Sequence, residues 1–268
     1  MHFAYVIAGS EATGGAGIQA DLKTFQQLGV YGLGTITCIV SFDPNNDWAH
    51  RFRPVDPEII AEQFEAATAS QDLDTVKIGM LGTPATIDEV AKAVSSRPWR
   101  HVVLDPVLIC KGQEAGAALQ TDNALKAQIL PLATVVTPNN FEARALSGLA
   151  ELNTVDDLIE AGRRILDLGP QAVVVKGGVD FPGPEAVDVL VQRTAPGQPP
   201  AVQVLSHPKI GQARVSGAGC TFAAAITAEL AKGKEIAEAV QVAKDLVTRG
   251  IEHRVSANTP FDAVWQGA

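Results

Sequence analysis

The chain has 268 residues, of which 46 % are apolar and 19 % are charged, a balance typical of a globular protein with a sizeable core. Its formal net charge of −9 argues against nonspecific binding to nucleic acid. The three cysteines are widely spaced and form no Cys-x-x-Cys pair, which argues against a disulfide framework or a zinc site. The N-terminus lacks the basic start of a signal peptide, and no run of about 18 apolar residues suggests a membrane helix. We therefore expect a cytoplasmic protein without a membrane partner.

The first half of the chain alternates short apolar runs with amphipathic segments. A strand at 3–10 leads into a glycine turn. The stretch 15–32 that follows has helical spacing, and Gly29 is expected to end the helix. The remaining elements of this half are a strand, a helix, a strand, a helix and a strand, at 33–42, 56–70, 75–81, 83–96 and 100–109.

The second half continues the alternation and ends in two long helices. Its elements are a helix that runs from 121 to Pro131, a strand at 134–140, helices at 141–148 and 154–169, a strand at 171–178, a hairpin at 186–193 and 200–208, an apolar helix from Cys220 and a helix at 234–253. The tail after 253 is predicted to be a surface strap.

This alternation predicts the fold class. Short buried strands, each followed by a helix, indicate an α/β protein with a mostly parallel central sheet and helices on both faces. No internal repeat or long linker divides the chain, so we expect a single domain over 1–268. Ligands of such sheets bind beyond the carboxyl ends of the strands, and that is where candidate residues are sought.

The first candidate is a glycine-rich loop. The stretch AGSEATGGAGIQAD follows a strand and precedes a helix, so its backbone could wrap a ligand. It matches neither a Rossmann G-x-G-x-x-G nor a Walker loop. The alternative is a glycine turn that only eases helix–sheet packing.

Two further candidates could hold a metal ion. Asp105 ends a strand in LDPVLICKG, where its carboxylate could bind Mg²⁺ through water; plain Asp-Pro turn chemistry is the alternative. Asn139 and Glu142 in TPNNFEA share one side of a helical turn and offer oxygen ligands. Their alternative is a helix cap, in which Asn139 caps the helix and Glu142 supports the cap.

Charged residues also follow or interrupt two later strands. Lys176 precedes two glycines in VVVKGG and suits a phosphate group, although a solvated loop lysine is the alternative. Asp188 lies within an apolar strand, where it needs a partner unless it faces solvent.

The last candidate is VSGAGCTFAAA. Gly217, Ala218 and Gly219 lead into a helix whose first free N–H groups would form an anion hole for a phosphoryl group. The same helix dipole is expected to lower the pKa of the Cys220 thiol and to make it a base. The alternative is a small buried cysteine that begins an apolar helix.

Together these stretches resemble the ribokinase-like superfamily, and within it the vitamin kinases that phosphorylate hydroxymethyl groups on pyridine or pyrimidine rings. The resemblance is collinear over almost the whole chain and rests on IAGS…GGAGIQADLKTF, KIGMLGT, DPV…CKG, ATVVTPNNFEA, VVKGG and GAGCTFAAA…AELAKGK.

The resemblance implies a role for each candidate. Cys220 would be the catalytic base, beside the anion hole formed by Gly217, Ala218 and Gly219. The residues implied around ATP are Asn139, Glu142, Lys176, Gly177, Gly178, Val179, Asp180, Asp188 and Gly219. The carboxylates implied near Mg²⁺ are Asp105 and Glu142. The residues implied around the substrate ring and its lid are Gly9, Gly17, Asp21, Met80, Val107, Cys110, Lys111 and Cys220.

Two branches of these kinases compete. Pyrimidine kinases usually carry a glutamine whose amide binds the aminopyrimidine edge, and Phe42 aligns there. An aromatic ring cannot make those hydrogen bonds. The DPNNDW and LICKG stretches also resemble pyridoxal kinases, so we expect ATP-dependent phosphorylation of a vitamin B6 compound. Phosphorylation of hydroxymethylpyrimidine and non-catalytic binding of a vitamin or nucleotide are the alternatives. The sequence departs from the pattern of this branch at Ser216, where histidine or a similar residue is common. A homodimer is expected from the resemblance alone.

Overall fold

The computed structural model describes residues 1–108 and 115–268. Its strands, in chain order, are β1 His2–Glu11, β2 Val30–Asp43, β3 Ala49–Pro54, β4 Thr75–Ile78, β5 His101–Leu104, β6 Val135–Val136, β7 Ala172–Lys176, β8 Glu185–Gln192 and β9 Ala201–Pro208. Its α-helices are α1 Gly17–Gln27, α2 Pro57–Ser70, α3 Pro84–Ser95, α4 Ala115–Gln128, α5 Asn140–Ser147, α6 Val155–Leu166, α7 Ala218–Ala231 and α8 Ile236–Glu252.

The strands form one sheet in the order β3-β2-β1-β4-β5-β6-β7-β8-β9. Every neighbouring pair from β2 to β7 is parallel, whereas β3, β8 and β9 join antiparallel. The predicted α/β class with a mostly parallel sheet is therefore confirmed, and so is the hairpin of β8 and β9.

Both faces of the sheet are covered because its strands alternate their side chains between two cores. Tyr5 and Ile7 of β1 pack into the larger core, under α2 to α6. Val6 of the same strand lies in a smaller core with α1 and α7. Val174 of β7 likewise faces the helices α7 and α8. Helix α7 is buried from Thr221 to Leu230, which its run of small apolar residues allows.

Besides shifts in the bounds of several elements, the structure differs from the predictions in the following respects. Strand β3 was not predicted, because AHRFRP is a polar edge strand that pairs with β2. Helix α4 ends at Gln128, and Leu130–Leu132 forms a separate turn of 3₁₀ helix instead of continuing to Pro131. The tail is not only a surface strap: Val264 and Gln266 are buried, and the Gln266 amide donates to the hydroxyl of Thr221 at 3.1 Å.

The carboxyl ends of the parallel strands lie at one edge of the sheet. Asn139, which follows β6, bridges to Lys176 at the end of β7, and Ser10 at the end of β1 bridges to Gly17. The loops that carry the candidate residues therefore meet at this edge.

Candidate functional site

A cavity of about 400 Å³, here called the central cavity, opens between the end of β7 and the starts of α5 and α7, with α8 along one side. It brings together most of the predicted site residues. The predicted residues that line it are Asp105, Val107, Asn139, Glu142, Lys176, Gly177, Gly178, Val179, Asp180, Asp188, Gly217, Ala218, Gly219 and Cys220.

The start of α7 is shaped by glycine. Gly217 is the N-cap residue with φ of +80°, and no side chain caps the first turn. A Cβ atom at Gly217 would lie 1.9 Å from the carbonyl oxygen of Gly15, so a side chain does not fit there. The N–H groups of the first turn therefore have no side-chain acceptor at the cap, which suits an anion.

A charged cluster faces this helix start. The Lys176 ammonium lies 3.2 Å from a carboxylate oxygen of Asp105. A Cβ atom at Gly219 would be 3.4 Å from Lys176 Nζ and 3.6 Å from Asp105 Oδ2, so the glycine lets the helix approach both groups. Burial lowers the pKa of Lys176, but Asp105 and Glu142 outweigh that effect and leave it raised. Lys176 is therefore a cation at the predicted anion hole.

Asn139 and Glu142 form the predicted helix cap, while their role as metal ligands stays a prediction. The Asn139 side chain accepts from the Glu142 N–H at 3.0 Å, and a Glu142 carboxylate oxygen accepts from the Asn139 N–H at 2.8 Å. This capping box starts α5 and holds Glu142 on the cavity wall. Burial raises the pKa of Glu142 to about 8, against the opposing charge of Lys176.

The donor set here suits a hard divalent cation. Mg²⁺ binds through one or two carboxylates together with phosphate oxygens and water. Asp105 and Glu142 line the cavity and share the single ammonium of Lys176, so a second positive charge would offset the cost of burying both carboxylates. Within 1–108 and 115–268, no group of three or more histidine, cysteine, aspartate or glutamate side chains forms a metal cage of its own.

Two predicted acids on the cavity wall have partners of their own. Asp188 is buried and accepts from Lys244 Nζ at 2.8 Å and from the Gly177 N–H at 3.1 Å. It therefore does not face solvent, and its partner comes from α8. Asp180 is exposed and pairs with Arg214 at 2.6 Å.

Four of the predicted ring contacts do not line the central cavity: Gly9, Gly17, Asp21 and Met80. A Cβ atom at Gly9 would be 2.6 Å from Cys38 Sγ and 3.7 Å from Met80 Sδ, so these residues touch one another. Gly17 begins α1, and its backbone N–H hydrogen-bonds to Cys220, which lowers the pKa of the thiol. Their contacts with a substrate ring stay predictions.

Asp21 occupies a different place from the one that a substrate contact requires. Its side chain has no exposed surface, and both of its oxygens accept from Lys77 Nζ at 2.9 Å. Burial raises the pKa of Asp21, against the charge of Lys77 and its hydrogen bonds, which lower it. Burial lowers the pKa of Lys77, but Asp21, Cys220 and Asp105 outweigh it and leave it raised. In this structure Asp21 holds Lys77 instead of facing a cavity.

The expected low pKa of Cys220 is wrong. Burial raises the pKa of its thiol to about 11, against the charge of Lys77 and the Gly17 N–H, which both lower it. The helix dipole favours a low pKa, but the desolvation that accompanies the buried surroundings of α7 outweighs it. At neutral pH the thiol therefore carries its proton in this structure.

Cys110 and Lys111 lie outside the described residues. Their predicted place in a lid stays a prediction. No helix of the described ranges is long and apolar enough to cross a membrane.

Sequence reasoning missed the contribution of α8. Lys244, Val247, Thr248 and Ile251 all line the central cavity. Their spacing of three, four and seven residues puts them on one helix face, a signal that the sequence carries. It also missed Lys77, which looks like an ordinary residue of a short strand.

The comparisons with known proteins agree with one another. A family model described as phosphomethylpyrimidine kinase matches residues 11–265. Pyridoxine kinase of Bacillus subtilis is 46 % identical over 258 residues, which cover 96 % of this chain and 93 % of that protein.

Two solved structures are similar over the whole chain. An ADP complex of Bacillus subtilis pyridoxal kinase has a TM-score of 0.92 at 45 % identity and covers 100 % of this chain and 98 % of its own. A Staphylococcus aureus pyridoxal kinase in complex with AMP-PCP and pyridoxal has a TM-score of 0.90 at 37 % identity and covers 100 % and 94 %.

Proposed function

The chain belongs to the phosphomethylpyrimidine kinase family, and we propose that it transfers the γ-phosphate of ATP to the hydroxymethyl group of a vitamin B6 compound, with Cys220 as the base. It is an ATP-dependent kinase, as its similarity to pyridoxine and pyridoxal kinases supports. Non-catalytic binding of a vitamin or nucleotide is thereby set aside.

One observation carries the proposal: the start of α7 places an uncapped helix end, a cation and a thiol side by side. Gly219 fits against Lys176 and Asp105, and Cys220 is the next residue. Charge develops on the phosphoryl oxygens during transfer, and a preorganised set of N–H groups and an ammonium stabilises it there. Positioning and electrostatic stabilisation do most of the work in such a reaction.

Cys220 acts in this proposal on the acceptor side. Its thiolate takes the proton of the hydroxymethyl group as the new P–O bond forms and the bond from the γ-phosphorus to the bridging oxygen of ADP breaks; ADP leaves, and Cys220 is left as the thiol. The Lys77 ammonium and the Gly17 N–H favour the thiolate, whereas burial opposes it. Because the thiol pKa is about 11, we expect turnover to rise with pH through the neutral and mildly alkaline range.

Mg²⁺ enters the proposal as the partner of the nucleotide. Asp105 and Glu142 are the residues that would hold it, directly or through water. When bound, the ion neutralises charge on the phosphate oxygens. Lys176, which contacts Asp105, and the first turn of α7 would orient the transferring group.

We assign the substrate ring to Gly9, Met80 and Val107, as the resemblance implies; Val107 lines the central cavity, whereas Gly9 and Met80 lie near the ends of β1 and β4. Phe42 packs against His50 and Phe261, with ring centroids 4.6 and 5.0 Å away. This aromatic surrounding at the position where pyrimidine kinases have an amide supports a B6 ring. The family description supports hydroxymethylpyrimidine as the second candidate.

A substrate panel separates the two candidates. Specificity constants for pyridoxal, pyridoxine, pyridoxamine and hydroxymethylpyrimidine would be measured with ATP and Mg²⁺. The B6 compounds are expected to be preferred; an equal or reversed preference would refute the choice.

A homodimer and a cytoplasmic location complete the proposal. Both rest on the resemblance to vitamin kinases. Size-exclusion chromatography with light scattering tests the first, and fractionation of the source cells tests the second.

The role of Cys220 is tested by substitution. Cys220→Ala is expected to reduce kcat by about 10²–10⁴-fold, as loss of a general base typically does. Binding of a non-hydrolysable ATP analogue, followed by calorimetry, is expected to stay nearly unchanged. Cys220→Ser is the matched control for shape, and we expect it to be slow as well. Unchanged turnover in Cys220→Ala would remove the thiol from the mechanism.

A further inference from the structure

We propose that Lys244 of α8 is a positioning residue for the nucleotide: through Asp188 it holds the backbone N–H of Gly177 and so fixes the loop at 177–180 on the wall of the central cavity. The inference rests on the proposed function for the identity of that nucleotide as ATP. We call the contacts that run from Lys244 through Asp188 to the Gly177 N–H the relay, and these contacts are present in the structure.

Lys244 is almost completely buried and is well placed for this role. Its Nζ donates to Asp188 Oδ2 at 2.8 Å and to the carbonyl oxygen of Ala186 at 2.7 Å. The side chains of Lys244 and Asp188 are 7 % and 8 % exposed. Two of the three donors of the ammonium are therefore committed to β8, and α8 is tied to that strand at the cavity wall.

Asp188 connects Lys244 to the loop at 177–180. Its second oxygen, Oδ1, accepts from the Gly177 N–H at 3.1 Å, and that N–H also donates to the carbonyl oxygen of Val187 at 2.9 Å. A Cβ atom at Gly177 would lie 2.4 Å from the same carbonyl oxygen, so the loop is packed directly against β8. The Gly177 N–H is therefore shared between the Val187 carbonyl oxygen and the Asp188 carboxylate, and Lys244 holds the carboxylate in place.

The loop matters because of what precedes and follows it. Lys176, the next residue towards the N-terminus, carries the ammonium at the anion hole, and its backbone is paired with Asp188 across β7 and β8. Gly178 and Val179 line the cavity directly. A shift of the Gly177 peptide would therefore displace cavity residues on both sides of it.

Single substitutions cannot test the relay cleanly, because either one leaves a buried charge without its partner. Two double variants avoid this problem. Lys244→Met/Asp188→Asn removes both charges and keeps an oxygen that accepts from the Gly177 N–H. Lys244→Met/Asp188→Leu removes the same charges, keeps nearly the same shape and has no acceptor. The two variants differ in the contact to Gly177.

The expected result is a selective loss of nucleotide affinity. The variant with leucine should bind a non-hydrolysable ATP analogue about tenfold more weakly than the variant with asparagine, which corresponds to one lost hydrogen bond. The KM for ATP should rise in parallel, while the KM for pyridoxal and the thermal midpoints of the two variants stay similar.

Two outcomes would overturn the relay. If both double variants lose the same affinity for the ATP analogue, Lys244 or Asp188 contacts the nucleotide directly, or their charge alone matters. If both retain wild-type affinity, the pair only stabilises the fold. Because the binding measurement needs no turnover, it separates failure of the relay from failure of the proposed B6 kinase activity, which would leave nucleotide binding intact and pyridoxal unphosphorylated.

Discussion

Two buried lysine–aspartate pairs flank the site, and they differ in what surrounds them. Lys77 and Asp21 are 1 % and 0 % exposed, and the carboxylate holds the ammonium with both oxygens. Lys244 and Asp188 lie on the wall of the central cavity, and Asp188 divides its oxygens between the ammonium and the Gly177 N–H. We call the first pair closed, because both carboxylate oxygens bind the lysine of the pair. We call the second pair open, because one carboxylate oxygen binds a backbone N–H.

The difference shows two ways in which a buried ion pair can serve a site. The closed pair reaches Cys220 only through its charges: Lys77 lowers the pKa of the thiol and Asp21 raises it. The open pair acts through a hydrogen bond and therefore through geometry. Burial alone does not tell the two apart, but the hydrogen-bond partners do.

The largest expected effect is on stability. Lys77→Met leaves the Asp21 carboxylate fully buried without a partner and should lower the free energy of unfolding by about 3–5 kcal/mol. Lys244→Met should cost less, about 1–3 kcal/mol, because Asp188 keeps the Gly177 N–H and lies next to the cavity. Urea unfolding at neutral pH measures both. Equal losses would contradict the distinction between a closed and an open pair.

Glu142 sharpens the comparison because it is a buried carboxylate without a lysine of its own. Lys176 is shared between Glu142 and Asp105. Since burial raises the pKa of Glu142 to about 8, its ionised carboxylate destabilises the folded state most at alkaline pH. Glu142→Gln keeps an acceptor for the Asn139 N–H and should stabilise the fold by about 1–3 kcal/mol at pH 8.

The pH dependence of this gain follows from the two states. Below pH 4.5 the carboxyl is protonated in both the folded and the unfolded chain, so the substitution should change little. Between pH 4.5 and 8 the folded chain binds more protons than the unfolded chain, and the stability of the wild type falls as pH rises. Glu160→Gln, on the exposed face of α6, is the control and should stay within about 0.5 kcal/mol. A gain that shrinks with rising pH would be inconsistent with a buried charge.

The sequence was sufficient for the parallel strands of the sheet, for the hairpin of β8 and β9, and for the start of α7. Gly-Ala-Gly before an apolar run specifies a helix entry of small residues, and the structure has Gly217 at positive φ there. Strand β3 escaped detection because an edge strand such as AHRFRP needs no apolar face. Its existence depends on pairing with β2, which no local pattern records.

Partners at long range explain the rest. Asp188 was recognised as an acid that needs a partner, but Lys244 lies 56 residues away on another element, and the same separation divides Asp21 from Lys77. Local spacing cannot reveal such pairs. The pKa of Cys220 was misjudged for a related reason, because desolvation depends on the whole packing around the start of α7.

The smallest expected effect concerns the reactivity of Cys220. It is measured as the rate of alkylation by iodoacetamide at pH 9, in a background in which Cys38 and Cys110 are replaced by serine. The thiol pKa of about 11 lies above this pH, so the thiolate fraction, and with it the rate, falls about tenfold for each unit by which the pKa is raised.

The two pairs are compared by removing each of them as a neutral double variant. Lys77→Met/Asp21→Asn removes the charge of Lys77, which lowers the thiol pKa, and the charge of Asp21, which raises it by less. The thiol pKa should therefore rise, and alkylation should slow by about three- to tenfold. Asp188→Asn/Lys244→Met leaves the groups that act on Cys220 in place, and its alkylation rate should match the background. If both double variants slow alkylation equally, the slowing is not specific to the pair that acts on Cys220, and the closed pair has no separate electrostatic role there.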